Sequence, residues 1–446
     1  MKKTYLAAVL ASGIIGLLLT KLAFASPAGK DASSYTVHEW GTFTDVQGGD
    51  GRLLSWRPLQ TSELPGFVRN WQNAGMNRRF ADIDGKPFIG KGGMVTLQRL
   101  ETPVMYFYSA QAMKVDVKVN FPGGLITEWY PQATQMGPSV PLDPNASPDA
   151  TLPERGAVWK QLQLLPESAE VGQLQSYLPP EESGRHYFAA RKTSADTVRM
   201  EFAGRTNEPD NYEKFIFYRG AGSFETPLNV SIDAQNEVVV KNTGDQALSH
   251  LFLLVIKNDR GGFEEIESLS PGESKTLPTF EQENSPVIRF DSIADGQAKL
   301  GTAVHTALVG AGLFDDEAAA MVNTWKDSWF AEDGVRVLYL LPRDWTDKTL
   351  PLTLNPRPQK VVRVMVGRAE LITPGTVADL AAVLAKAEAG DVDARHQAVD
   401  TLTRLGRFAE PALELAVRGE TSQQKIVYGY QLLSQVTQQK SKSVGN

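Results

Sequence analysis

Along the first two-thirds of the chain, apolar and polar residues alternate with a period of two, the signature of half-buried strands. Met113, Val115, Val117 and Val119 alternate with Lys114, Asp116, Lys118 and Asn120. Residues 35–46 are rich in aromatic and β-branched side chains, and Gly48-Gly49-Asp50-Gly51 then forms a turn. Residues 104–108 read as a strongly apolar strand. Phe121-Pro122-Gly123-Gly124 turns the chain, and residues 125–130 return it. The expectation for 104–130 is an antiparallel meander. Residues 131–153 contain six prolines and few large apolar groups, which predicts a long exposed loop. Strand patterning resumes over 156–206, for example at 197–202.

Four further strands are predicted at 215–218, 228–232, 237–241 and 250–257. The Asn242-Thr243-Gly244 turn and the later Leu269-Ser270-Pro271-Gly272-Glu273-Ser274 turn resemble those of immunoglobulin-like or fibronectin-like sandwiches. The period then changes. Ala318, Met321, Val322, Trp325 and Trp329 fall on one face of a helix within 296–330, and Asp315 and Asp316 sit where acids favour a helix start. Strands follow at 335–341 and 361–372. From 376 to about 436 the spacing is helical again, and residues 405–413 resemble the inter-helix turn of a HEAT-type repeat. About one and a half such units fit, too few to stand alone, so these helices must dock on the body or on a partner. The expected class is mainly β and multidomain, with antiparallel β-sandwich modules, a helical insertion and a C-terminal α-helical segment. Its divisions are an N-terminal β domain over 26–206, an immunoglobulin-like sandwich over 207–285, a helix-plus-strand region over 286–374, a HEAT-like segment over 375–436 and a disordered tail over 437–446.

Composition adds an address. Lys2 and Lys3, an apolar run over 6–19 and Ala23-Phe24-Ala25 read as a cleavable signal peptide covering residues 1–25. The run is shorter than the roughly 20 residues that span a bilayer, and no later segment is apolar enough to cross one. The expected location is the periplasm or the exterior. Cleavage removes Lys2, Lys3 and Lys21 and no acid, taking the net charge from −7 to −10. An acidic surface argues against nucleic acid and anionic lipid as partners. The absence of cysteine excludes disulfides, thiolate metal sites and c-type haem attachment. No P-loop or dinucleotide fingerprint is present, so neither haem nor nucleotide is expected, and the cofactor stays open.

Candidate chemistry is sparse. In the segment 36–43, strand alternation puts His38, Trp40 and Thr42 on one face and Val37, Glu39 and Phe43 on the other. His38 and Glu39 therefore do not meet at one metal. His38 reads either as a structurally satisfied histidine or as a metal or acid–base group paired with a carboxylate from another strand, Glu101 or Glu128. Both glutamates lie beside aromatic residues, where desolvation would raise a carboxyl toward general-acid duty. Trp40, Trp129, Tyr218, Arg219, Asp327 and Trp329 are the candidate binding residues, as aromatics and charges at strand ends or on the helix.

The strings HEWGTFT (38–44), LETPVMYFY (100–108), TEWYP (127–131), FYRGAG (217–222), NTWKDSWF (323–330) and VRVMVGRAELITP (362–374) together resemble a family of exported bacterial proteins marked by the HEWGTF motif. The resemblance implies an envelope or secreted location and no particular reaction. Two functional readings follow. One is an exported binding or scaffold protein that meets a protein partner through its C-terminal helices. The other is an extracytoplasmic, metal-assisted hydrolase of a glycan or peptide, centred on His38, Glu101 and Glu128.

Overall fold

A computed structural model describes residues 33–56, 64–70, 96–137, 155–166, 174–202, 209–277, 287–418, 420 and 422–443. The expected signal peptide 1–25, most of the proline-rich stretch 131–153 and residues 444–446 lie outside these, whereas residues 437–443, expected to be disordered, continue the last helix. The strands are β1 (Ser33–Gly48), β2 (Arg69–Asn70), β3 (Gln98–Ser109), β4 (Met113–Asn120), β5 (Gly124–Tyr130), β6 (Gln135–Gly137), β7 (Gly156–Leu165), β8 (Thr197–Met200), β9 (Asn211–Glu213) and β10 (Ile216–Gly222). They continue with β11 (Leu228–Ile232), β12 (Val238–Asn242), β13 (Leu248–Lys257), β14 (Arg260–Leu269), β15 (Ser274–Leu277), β16 (Ile288–Phe290), β17 (Gly334–Leu340), β18 (Leu352–Asn355) and β19 (Pro358–Ile372). The helices are α1 (Ile293–Gly310), α2 (Asp315–Trp329), α3 (Arg343–Thr349), α4 (Pro374–Glu388), α5 (Val392–Leu405), α6 (Ala409–Ala416) and α7 (Gln423–Ser443).

One sheet organises the molecule, with strand order β16-β14-β13-β17-β19-β1-β3-β10-β5-β2. At its centre β1 pairs in parallel with β19, and every other neighbouring pair in this sheet runs antiparallel. The alternation of β1 is as the sequence predicts. Val37 and Phe43 enter one core, and Trp40 enters the other. The first core lies between the large sheet and two smaller sheets, β18-β4-β7-β8-β9 and β11-β12-β15. The second lies beneath α1, α2 and the 3-10 turn His186–Arg191.

Two expectations fail here for the same reason. The stretch 104–130 is no meander: β4 leaves the large sheet to pair with β7 and β18, while β3 and β5 both pair with β10. Nor do residues 207–285 close into a sandwich of their own. β11, β12 and β15 form the small sheet, whereas β10, β13 and β14 belong to the large one. The strands themselves stand where periodicity put them. Their partners were chosen by long-range burial, which period alone does not encode. The C-terminal helices dock on the body. Leu380, Leu384, Leu402, Leu413 and Leu432 pack with Val46, Leu54, Trp56 and Ile372 from the ends of the central strands and the segment after β1.

Candidate functional site

The helix-covered face of the large sheet is apolar over half its length and charged over the other half. Ordinary alternation accounts for part of this. Val362, Val364 and Val366 on β19 point to the α1–α2 core, and Arg368 and Glu370 continue the same row. Leu338 and Leu340 on β17 do likewise, with Arg336 next in line. β3 does it through an irregularity. Its pairing with β1 shifts between Trp40 and Thr42, and Thr102 sits there at φ 47°, a left-handed conformation that β-branched residues rarely adopt. This bulge reverses the alternation, so Leu100 packs in the first core while Arg99 and Glu101 turn to the helix side. Gly41 lies opposite, where an added Cβ would come within 2.9 Å of Pro103 Cα. β10 contributes Arg219, opposite Glu128 of β5.

These charges interlock. Arg99 Nε lies 2.9 Å from Glu101 Oε1, and Arg407 Nη1 donates to the same oxygen at 2.9 Å. Thr44 Oγ1 donates to the other oxygen, Oε2, at 2.8 Å. Arg336 Nε donates to Glu370 Oε2 at 3.0 Å, and Arg368 Nη2 donates to the same oxygen at 2.9 Å. Arg368 Nη2 also reaches Glu332 Oε2 at 2.7 Å. Ser328 Oγ, on α2, accepts from Arg368 Nη1 at 2.6 Å and from Arg407 Nη2. Arg407 comes from the short turn between α5 and α6, so the C-terminal helices supply one wall. Where the seam reaches the surface it opens into a cleft of about 490 Å³, walled also by His186, Asn323, Trp325 and Asp327.

The electrostatics are those of a positive hole. Burial alone would raise the Glu101 carboxyl, but Arg99, Arg407, Arg219 and Arg368 outweigh it and hold it well below the carboxylate range. Glu332, for the same reasons, is held down at about 2. Burial lowers Arg99 to about 9, with Arg219 and Arg407 adding to the effect against the attraction of Glu101. Burial likewise lowers His186 to about 4, reinforced by Arg219. Its ring lies 5.6 Å from that of Trp325, which stacks on Trp329 at 5.8 Å.

Glu101, Arg219 and Asp327 thus line one cleft, with Glu128 beside Arg219. His38 does not join them. It opposes Tyr106 on β3 whereas Thr42 opposes Glu101, a separation of roughly 13 Å along the strand at about 3.3 Å per residue. His38 instead pairs with a carboxylate the sequence reading did not choose, Glu317 of α2. Its Nδ1 lies 2.7 Å from Glu317 Oε2. Glu317 also accepts from Tyr108 Oη and from the Phe314 backbone N, each at 2.7 Å. His38 therefore clamps α2 to the sheet. Among the described residues no group of three or more histidine, aspartate and glutamate side chains is placed to hold a metal. Trp40, Trp129, Tyr218 and Trp329 are fully buried and present no surface to a ligand. Trp129 and Tyr218 face the first core, where Tyr218 Oη donates to Glu39 Oε1 at 2.5 Å. Glu39 also holds Arg363.

Sequence reading missed Arg99, Ser328, Glu332 and Arg407, set His186 aside as weak, and read Arg368 as a strand-end charge in an ion pair or a cleft. Arg368 and Glu370 were legible from alternation in 362–372. Arg407 had only its place in the inter-helix turn as a signal, and Arg99 needed the bulge.

No family model and no curated protein matches the chain. Among solved structures, the Fcho1 mu homology domain of Danio rerio with bound Eps15 peptide aligns over 77 % of this chain and 98 % of that one, at 10 % identity and a TM-score of 0.29. The yeast delta-COP-I mu-homology domain complexed with a Dsl1 WxWxV peptide aligns over the same shares at 7 % identity and a TM-score of 0.23. Likeness at that level defines neither a shared fold nor a shared role, and the chain is described by its own geometry.

Proposed function

We propose that this is an exported binding protein whose ligand occupies the cleft between β3, β10, the His186–Arg191 turn, α2 and the Arg407 turn. One observation carries the reading. Arg99 is only 2 % exposed, lines the cleft, and leaves its Nη1 with no hydrogen-bond partner among the described residues. A buried cationic donor left unmet costs on the order of 1–3 kcal/mol or more, and such a group is accounted for when a ligand completes it. The surrounding side chains stand on strands and a helix and are fixed by the charge network, which suits a preformed site. Export is supported by the basic and apolar segment at residues 1–25.

Binding is favoured over hydrolysis. The Glu101 carboxyl is held ionised by its arginines and has no proton to give as a general acid, and His38 is committed to Glu317. The test is a thermal-shift survey of the purified mature chain against neutral sugars, amino acids, carboxylates and phosphate esters. A ligand present at about 100 times its Kd adds about 2.7 kcal/mol of stability. The expected result is stabilisation by one class, reduced in an Arg407→Gln variant. Stabilisation by no class, or stabilisation indifferent to Arg407→Gln, refutes the cleft as the binding site. Fractionation of the producing cell checks export separately: a full-length chain retained in the cytoplasm rejects it.

A further inference from the structure

We infer that the ligand carries an oxyanion head group, a carboxylate or a phosphate, on a polar body. This rests on the cleft being the ligand site, and it follows from which hydrogen-bonding groups there remain unmet. The buried acceptors beside Arg99 and Arg407 are engaged. Glu101 Oε1 accepts from Arg407 and lies in an ion pair 2.9 Å from Arg99 Nε, and Glu101 Oε2 accepts from Thr44. Glu332 Oε2 receives Arg368 and, at 3.4 Å, Arg407. Ser328 Oγ receives two guanidinium groups. The buried polar atoms of the cleft wall that lack a partner among the described residues include Arg99 Nη1, Arg407 Nε, Trp325 Nε1 and His186 Nε2, all of them nitrogens. The first three are donors at neutral pH, and the neutral His186 Nε2 donates or accepts according to its tautomer and donates once protonated.

A hole rich in donors and poor in acceptors selects a ligand that only accepts. A neutral sugar hydroxyl brings a proton of its own, and the saturated carboxylates offer it little. An oxyanion brings lone pairs alone, and its bonds to guanidinium are charge-assisted. The charge balance agrees. The wall holds Arg99, Arg185, Arg219 and Arg407 against Glu101, Asp327 and Glu332, an excess of one positive charge. Burial is the main cause that depresses His186 and Arg99, and the neighbouring arginines Arg219 and Arg407 add to it. The cleft is also larger than a bare ion needs. Its lining also includes Gly184, Asn323 and Asp327, which suits a hydroxylated body beside the head group.

The experiment uses one sugar body with three heads: glucose, glucuronate and glucose 1-phosphate. Inorganic phosphate serves as the head alone. Binding to the mature chain is measured calorimetrically at constant ionic strength, and His186 is titrated by NMR with and without phosphate. The expectation is that glucuronate or glucose 1-phosphate binds at least about tenfold tighter than glucose, a difference of about 1.4 kcal/mol. The tighter of the two assigns carboxylate or phosphate. Inorganic phosphate is expected to raise the His186 titration midpoint from about 4 by a unit or more, because an anion stabilises the imidazolium. Both effects should diminish in Arg407→Gln, while the His186 titration needs no variant to fold. Glucose binding as tightly as its charged relatives would overturn the head-group inference and leave the cleft as a binding site. Phosphate that leaves His186 unmoved, with no probe bound, would overturn both.

Discussion

Asp45 and His186 show how single buried groups set the pH response. Asp45 is wholly buried, accepting from Gln47 Nε2 at 2.9 Å and Thr226 Oγ1 at 2.7 Å, yet burial still raises it from 3.8 to about 6. An acid with a raised folded-state value binds its proton more tightly when folded. Its contribution therefore falls as pH rises from about 4 to 6, by roughly 3 kcal/mol for two units. His186 acts with the opposite sign. Its folded value lies below the unfolded one, so the unfolded chain takes the proton first and stability falls as pH drops from 6.5 toward 4. The two slopes oppose each other over the same window. Asp45→Asn should leave a melting temperature that drops more steeply on acidification, and His186→Asn should flatten the drop. If thermal melts between these pH values show parallel curves for both variants and the parent, the paired assignment fails.

At the scale of elements, the β3 bulge decides what the sheet offers to α2. Without the extra residue at Thr102, simple alternation would return Leu100 to the helix side and send Arg99 and Glu101 into the first core. The left-handed Thr102 costs on the order of 1–3 kcal/mol, offset by the network it positions. Gly41 lets the bulge approach β1, since a Cβ there would strike Pro103 Cα at 2.9 Å and Met365 Sδ at 3.0 Å. Gly41→Ala should destabilise the chain by about 1–3 kcal/mol in urea titration. It should also weaken ligand binding, because the displaced bulge carries Arg99 and Glu101. A variant with full stability and unchanged affinity would show that the close approach is unimportant. Six of the seven residues of the HEWGTFT run thereby have a structural role. His38 holds α2, Glu39 holds Arg363, Trp40 and Phe43 fill opposite cores, Gly41 admits the bulge, and Thr44 donates to Glu101.

For the molecule as a whole, the C-terminal helices complete the cleft as well as covering the ends of the central strands. Phe408 joins the two roles. Its ring packs 5.5 Å from Trp56, while the Arg368 and Arg407 guanidinium groups lie over it at 5.1 and 5.2 Å. Phe408→Ala should cost about 3–5 kcal/mol and also lower the affinity of the cleft ligand, since Arg407 loses the surface that holds it. Binding calorimetry beside chemical denaturation separates the effects. Affinity that survives the substitution would detach the helical segment from the site. The described helices include none long and apolar enough to cross a membrane.

Period and turn chemistry in the sequence determined most elements: the alternation on β1 and β4, the four strands between 215 and 257, the helix bearing Trp325 and Trp329, and the helical tail. These are local properties, written in neighbouring residues. Arg219, Glu101 and Asp327 were visible as candidates because charges among aromatics stand out along the chain. Only the tertiary structure decided which strands pair, that His38 meets Glu317, and that Arg99, His186 and Arg407 converge. Those choices depend on contacts between residues hundreds of positions apart. They also depend on one reversed residue at Thr102, whose effect on facing no periodicity contains.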